Sequence, residues 1–253
     1  MPVSIIEALP SFSRRTTRSE TTLNIAEMFS DTVQGEGISS GVVSTFMRLQ
    51  HCTLNCKWCD TTEVWRQGNP YTIDEVLSLF EKHGLIEKFS AKQHLILTGG
   101  SPLKQQQALE ILIQTFSSVY NFKPFIEVEN EAVLMPSEFM VQNVNQWNNS
   151  PKLANSGMRE SVRYKPEVLR KMSSLKNSWF KFVIDSESDW DEIQNYYLNL
   201  DLIRKPQIIL MPKGQTREEL QQTRELTVEL AIKHNVRFSD RLHVTIWDKK
   251  TGV

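Results

Sequence analysis

From Val42 to Trp247, short apolar runs take turns with stretches of helical period, and this alternation limits the fold more than any other feature of the chain. The runs VVSTFMRL (42–49), HLILTGG (94–100), FIEVE (125–129), WFKFVID (179–185) and IILMP (208–212) have the length and composition of buried strands. Between them, residues 73–89 carry apolar side chains at helical spacing behind Thr72, which suits an N-cap. Helical periods return over 104–118, 165–174, 187–199 and 216–234, with a polar stretch around 145–162. Last strands are expected at 236–238 and in LHVTIW, 242–247. Such an order predicts parallel pairing through right-handed crossovers. An α/β barrel, open or closed, and a doubly wound sheet both satisfy it.

The 253 residues fit one large domain or two small ones. Residues 1–22, polar and basic over PSFSRRTTRSETT, read as a flexible N-terminal extension to an ordered unit over 23–253. Twenty-nine basic against thirty acidic residues leave a formal charge of -1, which argues against direct nucleic-acid binding. No apolar run approaches the roughly 20 residues that cross a bilayer, and no secretory signal pattern is present. A protein without membrane attachment, in the reducing cytoplasm, is expected.

All three cysteines, Cys52, Cys56 and Cys59, lie in LQHCTLNCKWCDTT (49–62). An odd number packed so closely is no disulfide framework. A Cys-x3-Cys-x2-Cys loop can turn three thiolates to one four-iron cluster and leave the fourth iron open to a reacting ligand. Zinc held by the three cysteines and His51 is the rival, although adjacent ligands are awkward and paired zinc arms are absent. Three unrelated core cysteines are the remaining reading.

CTLNCKWC matches the CxxxCxxC signature of radical S-adenosylmethionine enzymes, with Trp58 before the last cysteine, and TGGSP (98–102) falls where that superfamily has its glycine-rich motif. Within it the chain resembles the 7-carboxy-7-deazaguanine synthase family in FSDTVQGEG (29–37), FMRLQHCTLNCKWCDT (46–61), LTGGSP (97–102), IEVEN (126–130), SPK (150–152), FKFVI (180–184), LMPKG (210–214) and RLHVTIWDKKTGV (241–253). The resemblance spans about residues 25–253. It implies a partial, TIM-like α/β barrel of the radical S-adenosylmethionine type with a C-terminal substrate-binding segment, and the cluster at the C-terminal strand ends. It also implies a homodimer, an external electron donor such as flavodoxin, and a ring contraction of 6-carboxy-5,6,7,8-tetrahydropterin to 7-carboxy-7-deazaguanine with loss of ammonia, toward queuosine. A glycyl-radical activating enzyme and a non-enzymatic zinc-binding interaction protein are the alternatives.

The same resemblance implies residue roles. Cys52, Cys56 and Cys59 would hold a 4Fe-4S cluster and Thr61 a magnesium ion. Glu36, Arg48 and His243 would contact the pterin. Trp58, Gly99, Gly100, Ser101, Ser150 and Lys152 would contact S-adenosylmethionine. Asp60 would stabilise the loop. Ser101 departs from the family, which has GGEP where this chain has GGSP. A neutral hydroxyl cannot pair with the methionyl ammonium as a carboxylate would. Glu127 and Glu129, on the next expected strand, are the candidates to supply the missing acid. Taken locally, Glu36 and Thr61 would be turn or capping residues, Arg48 a surface ion pair, and His243 a histidine on an alternating strand.

Overall fold

The computed structural model describes residues 1–7 and 21–252 and arranges ten strands in one open sheet. They are β1 (Val3–Ile6), β2 (Thr22–Val33), β3 (Val43–Leu49), β4 (Asn69–Thr72), β5 (His94–Gly99), β6 (Phe125–Asn130), β7 (Gln146–Asn149), β8 (Ser178–Ile184), β9 (Ile208–Pro212) and β10 (Arg237–Phe238). Their order is β1-β2-β3-β5-β6-β7-β8-β9-β10. From β3 to β10 every neighbouring pair is parallel. The long β2 runs antiparallel to β3 and carries both β4, at Thr22–Ile25, and β1, at Met28–Ser30, along its other edge. The ends do not meet, so the sheet is the incomplete barrel that the resemblance implied, and the alternation of strands and helices is its cause.

Successive side chains on the parallel strands enter two unlike environments. Met47, Leu49, Leu95, Leu97, Ile126, Val128, Phe180, Phe182 and Leu210 join the main apolar core against the helices. The residues between them, Arg48, Thr98, Glu127, Glu129 and Lys181, face inward. Only Phe29, Phe46 and Ile96 form a small apolar cluster on that side, with the two rings stacked at 5.0 Å. A doubly wound sheet would cover both faces with apolar layers. The polar inner face marks a barrel interior built to hold something.

Helix Ile73–Lys82 is closed by the expected N-cap, with Thr72 and Glu75 in a reciprocal capping box. It stops short of the expected residue 89, because Gly84 turns left-handed (φ 64) before helix Leu85–Ser90. Two other expectations are corrected. β1 and the start of β2 fall inside the expected flexible extension over 1–22, whose remainder, 8–20, lies outside the described residues. LHVTIW is a helix, Leu242–Trp247, and not a strand. Six residues cannot distinguish the two periods. Tertiary contacts choose: the Leu242 amide bonds the Gly35 carbonyl at 2.8 Å, and Arg217 caps the Thr245 and Ile246 carbonyls at 2.9 and 2.5 Å. Among the described residues no helix is long and apolar enough to cross a membrane.

Candidate active site

One cleft of about 730 Å³ opens where the parallel strands end, and nearly every residue singled out above lines it. Parallel strands deliver their C-terminal residues to one rim, so side chains distant in sequence meet there. Residues 241–252 supply much of the opposite wall, among them Arg241, His243, Val244 and Lys250.

At one end lies the cysteine loop. Its three thiols are half-buried and line the cleft together. The Leu54 amide donates to Cys52 Sγ at 3.3 Å, and Trp65 Nε1 donates to Cys59 Sγ at 3.4 Å, contacts that favour a thiolate. Burial pushes the Cys52 thiol up to about 11 and raises that of Cys56. Both are therefore protonated near neutral pH until a soft cation displaces the proton. The GG turn is packed onto the loop. A Cβ on Gly100 would stand 2.2 Å from the His51 carbonyl oxygen, and one on Gly99 2.2 Å from that of Leu49. The Ser101 amide donates to the His51 carbonyl at 2.7 Å. Backbone glycine is thus required for the loop and the β5 end to touch. Among the described residues no three His, Cys, Asp or Glu side chains gather closely enough for a single ion.

Beside the thiols, Lys152 Nζ donates to Ser150 Oγ at 2.8 Å and lies 5.4 Å from the Trp58 ring centroid. Trp58 is fixed by Nε1 bonds to Asn155, 3.1 Å to its carbonyl and to its side-chain oxygen. Thr61 lies in the cleft with its hydroxyl 3.9 Å from Cys59 Sγ, and its carbonyl accepts the Val64 and Trp65 amides of the turn that follows.

The far end is a buried charge network. Lys181 is ion-paired with Glu36, and Arg241 Nε donates to the other Glu36 oxygen at 2.9 Å. Arg241 also bonds Asp60 and the Gly214 carbonyl, tying the cysteine loop to the C-terminal segment. His243 Nε2 lies 3.8 Å from Glu36, and its Nδ1 would be 2.1 Å from a Cβ on Gly35, which is why QGEG needs glycine there. Burial alone would raise the Glu36 pKa. Lys181 and Arg241 reverse that and hold it well below the usual carboxylate range. Burial lowers that of His243, which favours its neutral form. Arg48, on β3, gives Nε to Glu27 at 2.7 Å and lines the cleft.

The two candidates for the missing acid are placed differently. Glu127 is fully buried away from the cleft, where His94 Nδ1 at 2.5 Å, Asn148 at 2.7 Å and Gln146 at 2.9 Å surround its carboxylate. It lies two residues deeper than the rim, which in a strand is about 6.6 Å. Glu129 lines the cleft but is engaged by Thr98 at 2.7 Å, Gln34 at 3.1 Å and Lys181 at 3.8 Å. Ser101 instead donates to Glu131, at 2.8 Å. Glu131, Lys181 and Arg241 are absent from the sequence reading. Lysine inside FKFVI and glutamate just past FIEVEN were the available signals, since charged residues are almost never buried unless paired.

Comparison with known proteins agrees with this geometry. Residues 33–134 match a family described as a 4Fe-4S single cluster domain. The 7-carboxy-7-deazaguanine synthase of Pyrobaculum aerophilum is 27% identical over 91% of this chain and 97% of its own length. That of Hyperthermus butylicus is 26% identical over 93% and 97%. The crystal structure of QueE from Escherichia coli shares the fold with a TM-score of 0.65 and 22% identity, over 88% of this chain and 95% of that one. The cluster match lies over the cysteine loop while the similarity to 7-carboxy-7-deazaguanine synthases extends through the C-terminal wall of the cleft, so the chain is similar to those enzymes over nine-tenths of its length and shares the fold of one of them.

Proposed function

We propose that the chain contracts the ring of 6-carboxy-5,6,7,8-tetrahydropterin to give 7-carboxy-7-deazaguanine and ammonia. The observation that carries this reading is one cleft with unlike ends, a soft-ligand cysteine loop facing a buried carboxylate–cation network. Cys52, Cys56 and Cys59 would hold a 4Fe-4S cluster, which with S-adenosylmethionine would supply one-electron radical chemistry at this end of the cleft.

The chain's own residues bind, orient and shield. Gly99 and Gly100 let the methionyl group approach the backbone, and Ser150 and Lys152 receive its carboxylate. Trp58 excludes water beside the thiols. Glu36, kept ionised by Lys181 and Arg241, accepts from the N–H edge of the pterin. Arg48 offers the free part of its guanidinium fork to the substrate carboxylate, and neutral His243 lies against the ring. Thr61 contributes one hydroxyl to a magnesium ion whose other oxygens come from substrate and water. The same reading assigns a homodimer, a flavodoxin-type reductant and a cytoplasmic setting.

The test is anaerobic turnover of the reconstituted protein with reductant, S-adenosylmethionine, magnesium and the tetrahydropterin, read by mass detection. Product that disappears in Cys56→Ala is expected. Cofactor cleavage without product would overturn the substrate assignment.

A further inference from the structure

Glu131 follows β6 directly and is 5% exposed, yet it lines the cleft. One carboxylate oxygen, Oε1, accepts from Ser101 Oγ at 2.8 Å and from Thr53 Oγ1 at 2.6 Å. The other, Oε2, is buried with no hydrogen-bond partner among the described residues. A buried carboxylate oxygen without a donor costs free energy that a well-packed site does not normally leave uncompensated. The two hydroxyls come from the cysteine loop and from the GGS turn, so the carboxylate is clamped between the motifs that meet at the cluster end. Glu131 and Lys152 line the same cleft as the three thiols, one anion and one cation. That pair complements an α-amino acid zwitterion.

We infer that Glu131 binds the α-ammonium of the methionyl group through its unpartnered oxygen, with Ser101 acting as the residue that orients it. The carboxylate that the family presents from the GGE position reaches the cleft here from the end of the neighbouring strand. Serine is then no defect: a glutamate at 101 would put a second negative charge against Glu131, and the smaller side chain makes room for the clamp. Lys152 meets the other end of the zwitterion. This inference rests on the proposed use of S-adenosylmethionine.

The experiment measures binding to the cluster-loaded protein by equilibrium dialysis. It compares S-adenosylmethionine with an S-adenosyl analogue carrying hydrogen in place of the α-amino group. Low-temperature electron paramagnetic resonance of the reduced cluster gives a second readout, as binding changes the signal. Glu131→Gln is expected to weaken S-adenosylmethionine about 10- to 100-fold, the range of a lost charged hydrogen bond, and to leave the analogue unchanged. Adding Ser101→Glu to Glu131→Gln is expected to recover about tenfold. Equal effects of Glu131→Gln on both compounds, or none on either, would overturn the inference while the wild type's binding leaves the proposed function standing. A cluster-loaded wild type that binds neither compound sinks both. Where Glu131→Gln assembles no cluster, Ser101→Ala is judged by the same selectivity, with a loss of about 3- to 10-fold expected for S-adenosylmethionine alone and none for the analogue.

Discussion

The two ends of the cleft are built in opposite ways. The cysteine end is local: three thiols within eight residues, a turn of two glycines pressed onto their loop, and few charges. The far end is non-local, since Glu36, Asp60, Lys181 and Arg241 come from four separate segments and meet only when the sheet is formed. The first end needs its metal to complete it, because buried neutral thiols gain little from each other. The second is complete as it stands, each buried charge having an opposite partner. Groups gathered on one loop can therefore be read from a short motif, whereas a charge network assembled from separate segments cannot.

Substitutions that strike one end and spare the other sharpen this contrast. Cys56→Ala is the largest: cluster absorbance and iron content should collapse and activity should vanish, with the melting temperature of the cluster-free protein nearly unchanged. A large loss of stability in that variant would show that the loop also holds the fold. Arg241→Ala strikes the far end. It removes one of the two cations held by the buried Glu36 and should cost about 1.5–3 kcal/mol in denaturant unfolding. Cysteine-loop assembly should survive, apart from the freed Asp60 contact.

Smaller effects separate the ends further. Gly35→Ala drives a methyl group into the His243 ring and should destabilise by about 1–3 kcal/mol, while Gly100→Ala, of similar cost, should instead lower cluster yield. Iron quantification beside a melting curve tells the two apart. The pH dependence is the mildest test. Glu36 has a lowered pKa in the folded state, so its contribution is complete above the ordinary glutamate value of about 4.3. It is lost as pH falls below that toward the folded value. Wild-type stability should therefore fall more steeply in that acid range than that of Glu36→Gln. Parallel curves would mean that the network is not electrostatically coupled as the distances indicate.

What could be read early follows the same division. Most strands and helices of the barrel were legible because each is a run of local period, and the cysteine loop because thiolate spacing is itself the chemistry; β2 and β7, the latter inside the polar stretch around 145–162, were not. Thr72 announced a helix start through a hydroxyl that bonds the amide three residues on. Charged residues alternating with apolar ones in FMRL, FIEVE and FKFV also carried the inward polar face, although an isolated strand does not say which face is buried.

By itself the sequence determined the α/β alternation, the soft-ligand loop, the glycine turn and the resemblance to 7-carboxy-7-deazaguanine synthases. Only the tertiary structure decided that LHVTIW is helical, that Glu127 is a deep structural acid while Glu131 lines the cleft, and that Lys181 and Arg241 confine Glu36. The reason is physical: spacing along a chain records local periods and chelating loops, while the pairing of buried charges depends on which strand ends a sheet brings to one rim.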